Sequence, residues 1–223
     1  MYFLTVLVFI LGVLGMDNAI TTIAQNMPPQ REHVIVIDAG HGGEDGGATS
    51  CTGVLESQIN LQIALRLDDL CHLLGYDTKL IRKTDVSIYT EGKTIAAKKA
   101  SDLRQRVRMV NDTDGAILIS IHQNIFSDSQ YSGAQVFYGN TDGSKRLAQL
   151  LQEAFSNSVN PNSNRRIKAA DNIYLMQHIH KPGILVECGF LSNPQEEALL
   201  RDAAYQRKLC CVIISGLSQY LST

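Results

Sequence analysis

What this chain lacks narrows its identity before any motif is read. Its formal net charge is only −2, with Lys+Arg 20 against Asp+Glu 22. So even a balance provides no broad positive face for nucleic acid. No internal repeat and no low-complexity segment interrupts the sequence, which excludes solenoids and long disordered tails. Cysteine is scarce and poorly arranged for disulfides: there are five, an odd number, no C-x-x-C pair, and Cys210 adjoins Cys211. The thiols therefore read as small buried apolar residues, with room for a free one. No apolar run reaches the roughly 20 residues a spanning helix needs.

The longest such run, residues 2–14, is broken only by Thr5 and Gly12 and suits a signal-peptide core or a short anchor. No Lys or Arg precedes it and no A-x-A site follows, so a buried helix is the alternative. Residues 17–31, with Pro28-Pro29, read as a polar tether. The expected organisation is an export or anchoring segment with tether over 1–32 and one globular domain over 33–223, working outside the cytoplasm.

What is present is an alternation of strands and helices. Residues 33–37 and 115–121 are short β-branched runs of the kind buried on both faces of a parallel sheet. Further strands are expected at 76–82, 133–138, 173–176 and 184–186. Helical stripes run over 56–74, ending at Gly75, over 144–157 and over 209–221. Ser101-Asp102 reads as the cap of a basic helix over 103–111, and Asn193-Pro194 opens another helix. The succession predicts an α/β fold, a three-layer sandwich with a mainly parallel central sheet and helices on both faces.

In such a sheet, ligands bind beyond the carboxyl ends of the strands. His41 lies in the glycine-rich turn after the first strand, and Glu56 opens the next helix. His122 and Glu187 each follow directly on a buried strand. Two imidazoles and one carboxylate form the ligand set of catalytic zinc in several hydrolases, and a further carboxylate can act as general base. Taken singly, each has a plainer reading. A lone histidine after a strand is usually a hydrogen-bonded turn residue, and Glu56 could simply favour its helix N-terminus. Glu187 resists that reading, because an unpaired carboxylate in the apolar run ILVECGF would be costly. His178 and His180 form an H-x-H pair read as a surface turn, and the glycine-rich turn lacks the G-x-G-x-x-G and G-K-[ST] patterns of nucleotide loops.

The motifs VIVIDAGHGGEDGGA (34–48), LESQINLQIALRL (55–67), DLRQRVRMVN (102–111), ISIHQN (119–124), GAQVFYG (133–139), IYLMQ (173–177) and KPGILVECGFLSNPQEEALL (181–200) occur in this order. With them, the chain from about Val34 onward resembles the zinc-dependent N-acetylmuramoyl-L-alanine amidases, and within them the CwlD type that acts on spore cortex. The resemblance implies that His41, Glu56 and His122 bind Zn2+ and that Glu187 is the catalytic glutamate. It implies peptidoglycan as substrate, with cleavage between N-acetylmuramic acid and L-alanine. It also implies a role in muramic-lactam formation and germination, a location around the forespore, and an accessory protein at the spore envelope.

Asp38, Glu44 and Asn124 are candidates for orienting the ligands. Arg104, or Arg165 with Arg166, is a candidate for contacting carboxylates of the glycan peptide or of a partner. Gln123 replaces the small or apolar residue usual in the HQN motif and is expected to point away from the metal. A different zinc hydrolase, such as a carboxypeptidase or aminopeptidase, remains open, as does a wall-binding relative without activity.

Overall fold

A computed structural model describes residues 33–161 and 163–222. The apolar run at 2–14 and its tether lie outside the described residues. The compact unit His33–Thr223 is built on a six-stranded sheet. In chain order the strands are β1 (Val34–Ala39), β2 (Asp77–Leu80), β3 (Ala116–Asn124), β4 (Gln135–Tyr138), β5 (Lys168–Ala169) and β6 (Gly183–Phe190). The helices are α1 (Glu56–Leu73), α2 (Ile95–Asn111), α3 (Ser144–Ser158), α4 (Tyr174–His178), α5 (Pro194–Arg201) and α6 (Ala203–Leu221). Across the sheet the order is β2-β1-β3-β6-β4-β5. The first four of these strands are mutually parallel, while β4 meets β6 antiparallel and carries β5 parallel to itself.

The two-residue period of a strand sorts side chains between two cores. Ile35, Ile37, Ile117, Ile119, Ile121, Ile184 and Val186 pack with Ile59, Ile63, Leu147, Leu151, Leu209 and Ile213 of α1, α3 and α6. Val36, Leu118 and Leu185 face the other way, against Val110 of α2 and Leu175 and Met176 of α4. This is the expected three-layer sandwich. Its central strands are apolar on both faces because both faces are covered.

Three local expectations are corrected. Residues 173–176 belong to the short helix α4, not to a strand; so short an apolar run fits either element, and burial of Leu175 and Met176 beneath the sheet decides it. Ser101 and Asp102 are interior to α2, which starts earlier with Thr94 as its N-cap accepting from the Ala97 N–H. Their polar groups serve tertiary contacts: Ser101 accepts from the backbones of Thr90 and Glu91, and Asp102 from Ile88. Of the cysteines, Cys71, Cys188 and Cys210 are buried, but Cys51 and Cys211 are exposed.

Candidate metal centre

The carboxyl ends of β1, β3 and β6 bring the reactive residues together. Asp38, Ser120, His122 and Glu187 line a cavity of about 240 Å3 on the α2 side, with His41 at its rim and Arg106 and Leu175 in its wall. His122 and Glu187 are register partners across β3 and β6. Just beyond them the register slips between His122 and Asn124. A bulge of this kind re-aims backbone groups. Here the Gln123 N–H leaves the ladder and donates to Glu56 Oε1 at 3.1 Å.

Glu56 reaches the same place from the first turn of α1. That helix start is tied to the glycine-rich turn by its own backbone donors: Glu56 N–H to the Ala48 carbonyl and Ser57 N–H to the Gly46 carbonyl. These bonds satisfy donors that a helix N-terminus would otherwise leave unpaired. The Glu56 side chain then lies between the imidazoles, with Oε2 3.3 Å from His41 Nε2 and Oε1 3.0 Å from His122 Nδ1. One ligand atom from each of His41, Glu56 and His122 falls within 4.8 Å of the others. Two imidazole nitrogens and a carboxylate oxygen at this spacing suit a zinc-like cation with a coordination position left over.

The turn is shaped around these side chains. A Cβ on Gly40 would meet the His122 ring at 2.2 Å, and one on Gly47 would lie 2.7 Å from both Glu56 Oε2 and the His41 ring. His41 itself has φ 60, a left-handed conformation that costs a non-glycine residue roughly 1–3 kcal/mol. Two buried arginines hold it there. Arg82 donates to the Ala39 carbonyl (2.8 Å), the Gly40 carbonyl (3.1 Å) and the Ser57 carbonyl (2.8 Å). Arg106 donates to the carbonyls of Ala39 (3.0 Å) and His41 (2.8 Å) and pairs with Asp38 and Asp102, both at 2.5 Å.

Electrostatics separates the carboxylates. Burial acts to raise the Glu56 pKa, but the hydrogen-bonded imidazoles of His122 and His41 hold it far below the usual carboxylate range. Asp38 is likewise buried, yet Arg106 and the Ser120 hydroxyl keep it ionised. Asp45 hydrogen-bonds His41 Nδ1 at 3.0 Å and is itself lowered by that contact and by Lys99. Against burial, Asp45 and Glu56 lift His41 to about 9. The negative field that favours a proton there favours a metal cation too. Glu187 stands apart: burial, with the Glu56 charge adding to it and the imidazoles opposing, pushes its pKa up to about 7. Its Oε2 is buried without a hydrogen-bond partner among the described residues. A carboxylate oxygen buried without a donor is costly unless it has a chemical role.

Other residues marked from the sequence fall elsewhere. Glu44 is paired with Lys98 at 2.8 Å on the surface, and Arg104 with Glu91 at 2.8 Å on the exposed face of α2. Asn124 contributes its carbonyl to the Leu191 N–H. Arg165 sits in a second cleft beside β4. The Gln123 side chain turns from the triad and donates to Asn60 Oδ1 at 3.1 Å, while Asn60 donates to Glu56 Oε1 at 3.2 Å. Sequence reasoning missed Asp45, Asn60, Arg82 and Arg106. Asp45 and Asn60 carried a faint signal, each four residues from a member of the candidate cluster; the arginines carried none.

Fold and site together define a class: a three-layer α/β protein with a His-Glu-His cluster and a second carboxylate in the same cavity. The family model for N-acetylmuramoyl-L-alanine amidase matches residues 35–219, and the chain belongs to that family. It is similar to the germination-specific N-acetylmuramoyl-L-alanine amidase of Bacillus subtilis (strain 168), at 38% identity over 196 residues covering 87% of this chain and 82% of the relative. Among solved structures it is similar to the CwlD amidase from Clostridioides difficile in complex with the GerS lipoprotein, with TM-score 0.82 and 39% identity over 85% of this chain and 98% of that one. An N-acetylmuramoyl-L-alanine amidase from Clostridium difficile 630 superposes with TM-score 0.74 and 31% identity, over 86% and 97% of the two chains.

Proposed function

We propose that this chain is a zinc-dependent amidase that cleaves the bond between N-acetylmuramic acid and L-alanine in spore-cortex peptidoglycan. The observation that carries the reading is the pairing of the His41–Glu56–His122 cluster with Glu187, whose Oε2 is buried without a hydrogen-bond partner among the described residues, at one cavity. Zinc would be held by His41 Nε2, Glu56 and His122 Nδ1. When bound, it supplies Lewis acidity, polarising the amide carbonyl and making water acidic enough to lose a proton near neutral pH.

The protein's own residues do the rest. Asp45 takes the Nδ1 hydrogen of His41 and so leaves Nε2 free to ligate. Asn60 and the Gln123 N–H hold Glu56 in its ligating rotamer. Glu187, raised to about 7, accepts a proton from the attacking water and returns it to the leaving L-alanine nitrogen. Leu175 and Leu185 supply an apolar part of the same cavity's wall.

In this reading residues 1–32 export or anchor the chain, 33–223 form the catalytic domain, and the enzyme works outside the cytoplasm around the forespore. Among the described residues no helix is long and apolar enough to cross a membrane. An accessory lipoprotein of the kind seen with the C. difficile relative is the expected partner. The test is mass spectrometry of digested cortex and vegetative peptidoglycan. Loss of the stem peptide from intact muramic acid, with free peptides untouched, is the expected result. Trimming of free peptides alone would replace this reading with a peptidase.

A further inference from the structure

The substrate reading above leaves one large feature unused. A cleft of about 960 Å3 opens beside β4, lined by Tyr131, Gln135, Asn160, Arg165, Lys168 and Glu196 among others. It lies one strand away from the candidate centre. Gln135 is the register partner of Glu187 across the antiparallel β4–β6 pair. Paired residues of neighbouring strands project on the same face, with Cα atoms about 4.5–5.5 Å apart.

Arg165 is set into this cleft with unusual definition. Its Nε donates to the Ser132 carbonyl at 3.1 Å and its Nη1 to Gln135 Oε1 at 3.1 Å. The Gln135 amide is in turn oriented by donating from Nε2 to the Arg166 carbonyl at 2.7 Å. The guanidinium carbon lies 4.5 Å from the Phe190 ring centroid and 5.9 Å from that of Tyr131. Stacking and two hydrogen bonds thus fix the plane of the fork. A guanidinium has five N–H donors, and these bonds use two. Among the described residues, no carboxylate lies within ion-pairing distance of Arg165. The acid of the same cleft, Glu196, hydrogen-bonds the backbone N–H groups of Gly133 (2.7 Å) and Phe190 (2.8 Å) and feels the Arg165 charge only through space.

A partly buried, stacked guanidinium with three N–H donors left over is preorganised to take a carboxylate by charge-assisted hydrogen bonding. In a peptidoglycan substrate the sugars are neutral, and the carboxylates belong to the peptide stem. Resting on the amidase reading, we propose that Arg165 forms a subsite for a stem carboxylate on the leaving-group side of the scissile amide. The enzyme therefore prefers stems whose carboxylates are free over stems in which they are amidated. Gln135 and Phe190 are positioning residues for that fork, and Glu196 keeps the loop at Gly133 in place beneath it.

The experiment uses the zinc-loaded full chain and two synthetic stem peptides beginning with L-alanine, identical except that one has its carboxylates amidated. Titration calorimetry is expected to show the carboxylate peptide binding about 10- to 100-fold more tightly, the range for a hydrogen-bonded charge pair. Arg165→Gln abolishes that preference without loss of zinc or of thermal midpoint, and Arg165→Lys, which keeps the charge but not the fork, restores part of it. Equal binding of both peptides by the wild-type chain overturns the subsite, as does an undiminished preference in Arg165→Gln. Should Arg165→Gln not fold, an undiminished preference in Arg165→Lys overturns it instead. Cleavage of intact muropeptide is followed in parallel. Discrimination without cleavage sinks the amidase reading and leaves the subsite; cleavage without discrimination does the reverse.

Discussion

Glu56, at the start of α1, and Glu187, in β6, are the same side chain placed in opposite surroundings within one site. Glu56 Oε1 accepts from Asn60 and the Gln123 N–H and faces His122; Oε2 accepts from the Ala48 N–H and faces His41. Glu187 is only partly buried as a residue, but its Oε2 is shielded from solvent with no donor among the described residues, and Glu56 repels it. Burial acts on both in the same direction. What separates them is the cage of donors: where N–H groups and imidazoles converge, the carboxylate stays ionised and rigid, and where they do not, its pKa climbs to about 7. An ionised, rigid oxygen suits a cation. A carboxylate poised near neutrality suits proton transfer.

The sharpest way to break this comparison is to neutralise each carboxylate in turn. Glu187→Gln keeps the shape and is expected to retain zinc while turnover falls by roughly 10²–10⁴-fold. Glu56→Gln removes a negative ligand and is expected to lose activity because zinc is lost. Metal analysis of both purified variants beside a muropeptide assay decides it. Zinc lost from the Glu187 variant and kept by the Glu56 variant would exchange the two roles, and full activity in either would remove the mechanism.

A second variant tests whether the turn carrying His41 depends on its buried scaffold in a way the Glu187 strand does not. Arg106→Met leaves Asp38 buried and unpaired, a change worth about 3–5 kcal/mol. The thermal midpoint should drop by roughly 10 °C. Adding Asp38→Asn, which removes the stranded charge, should recover part of the loss. A melt unchanged from wild type would show that the arginine clamp contributes little to the fold.

The smallest effect is expected at the outer edge of the cage. Asp45→Ala removes the acceptor on His41 Nδ1, so the imidazole no longer has a fixed tautomer. Zinc affinity, measured by competition with a chelator, should fall about 10- to 100-fold with the fold intact. Affinity equal to wild type would mean that the Arg82 and Arg106 contacts to the turn orient the ring without Asp45.

The layers of this fold were legible in the sequence because burial leaves a local signature. Runs such as 34–37 and 116–119 are apolar at every position, as strands covered on both faces must be, and the stripe at 59, 63 and 67 marks the face of α1. The start of α2 was not legible. Ser101 and Asp102 look like a cap, and only their contacts with Ile88, Thr90 and Glu91 reveal them as interior residues. Nor was β5 expected: two exposed residues, Lys168 and Ala169, form a strand only because β4 is beside them.

The same division runs through the site. From the sequence, His41, Glu56, His122 and Glu187 were expected to gather at one end of the sheet, each read as following a strand or opening the helix after one; in the structure β3 and β6 run on past His122 and Glu187, which lie within the carboxyl halves of those strands. Their surroundings were decided by tertiary structure. Arg106 reaches Asp38 across 68 residues, Arg82 reaches Ala39 across 43, and Gln123 reaches Glu56 across 67. A residue's chemistry here depends on which donors and charges stand within a few ångströms, and those come from distant segments. Periodicity reports which face of a strand or helix is buried, but not which partner waits there; only the packed chain sets the charge of each carboxylate.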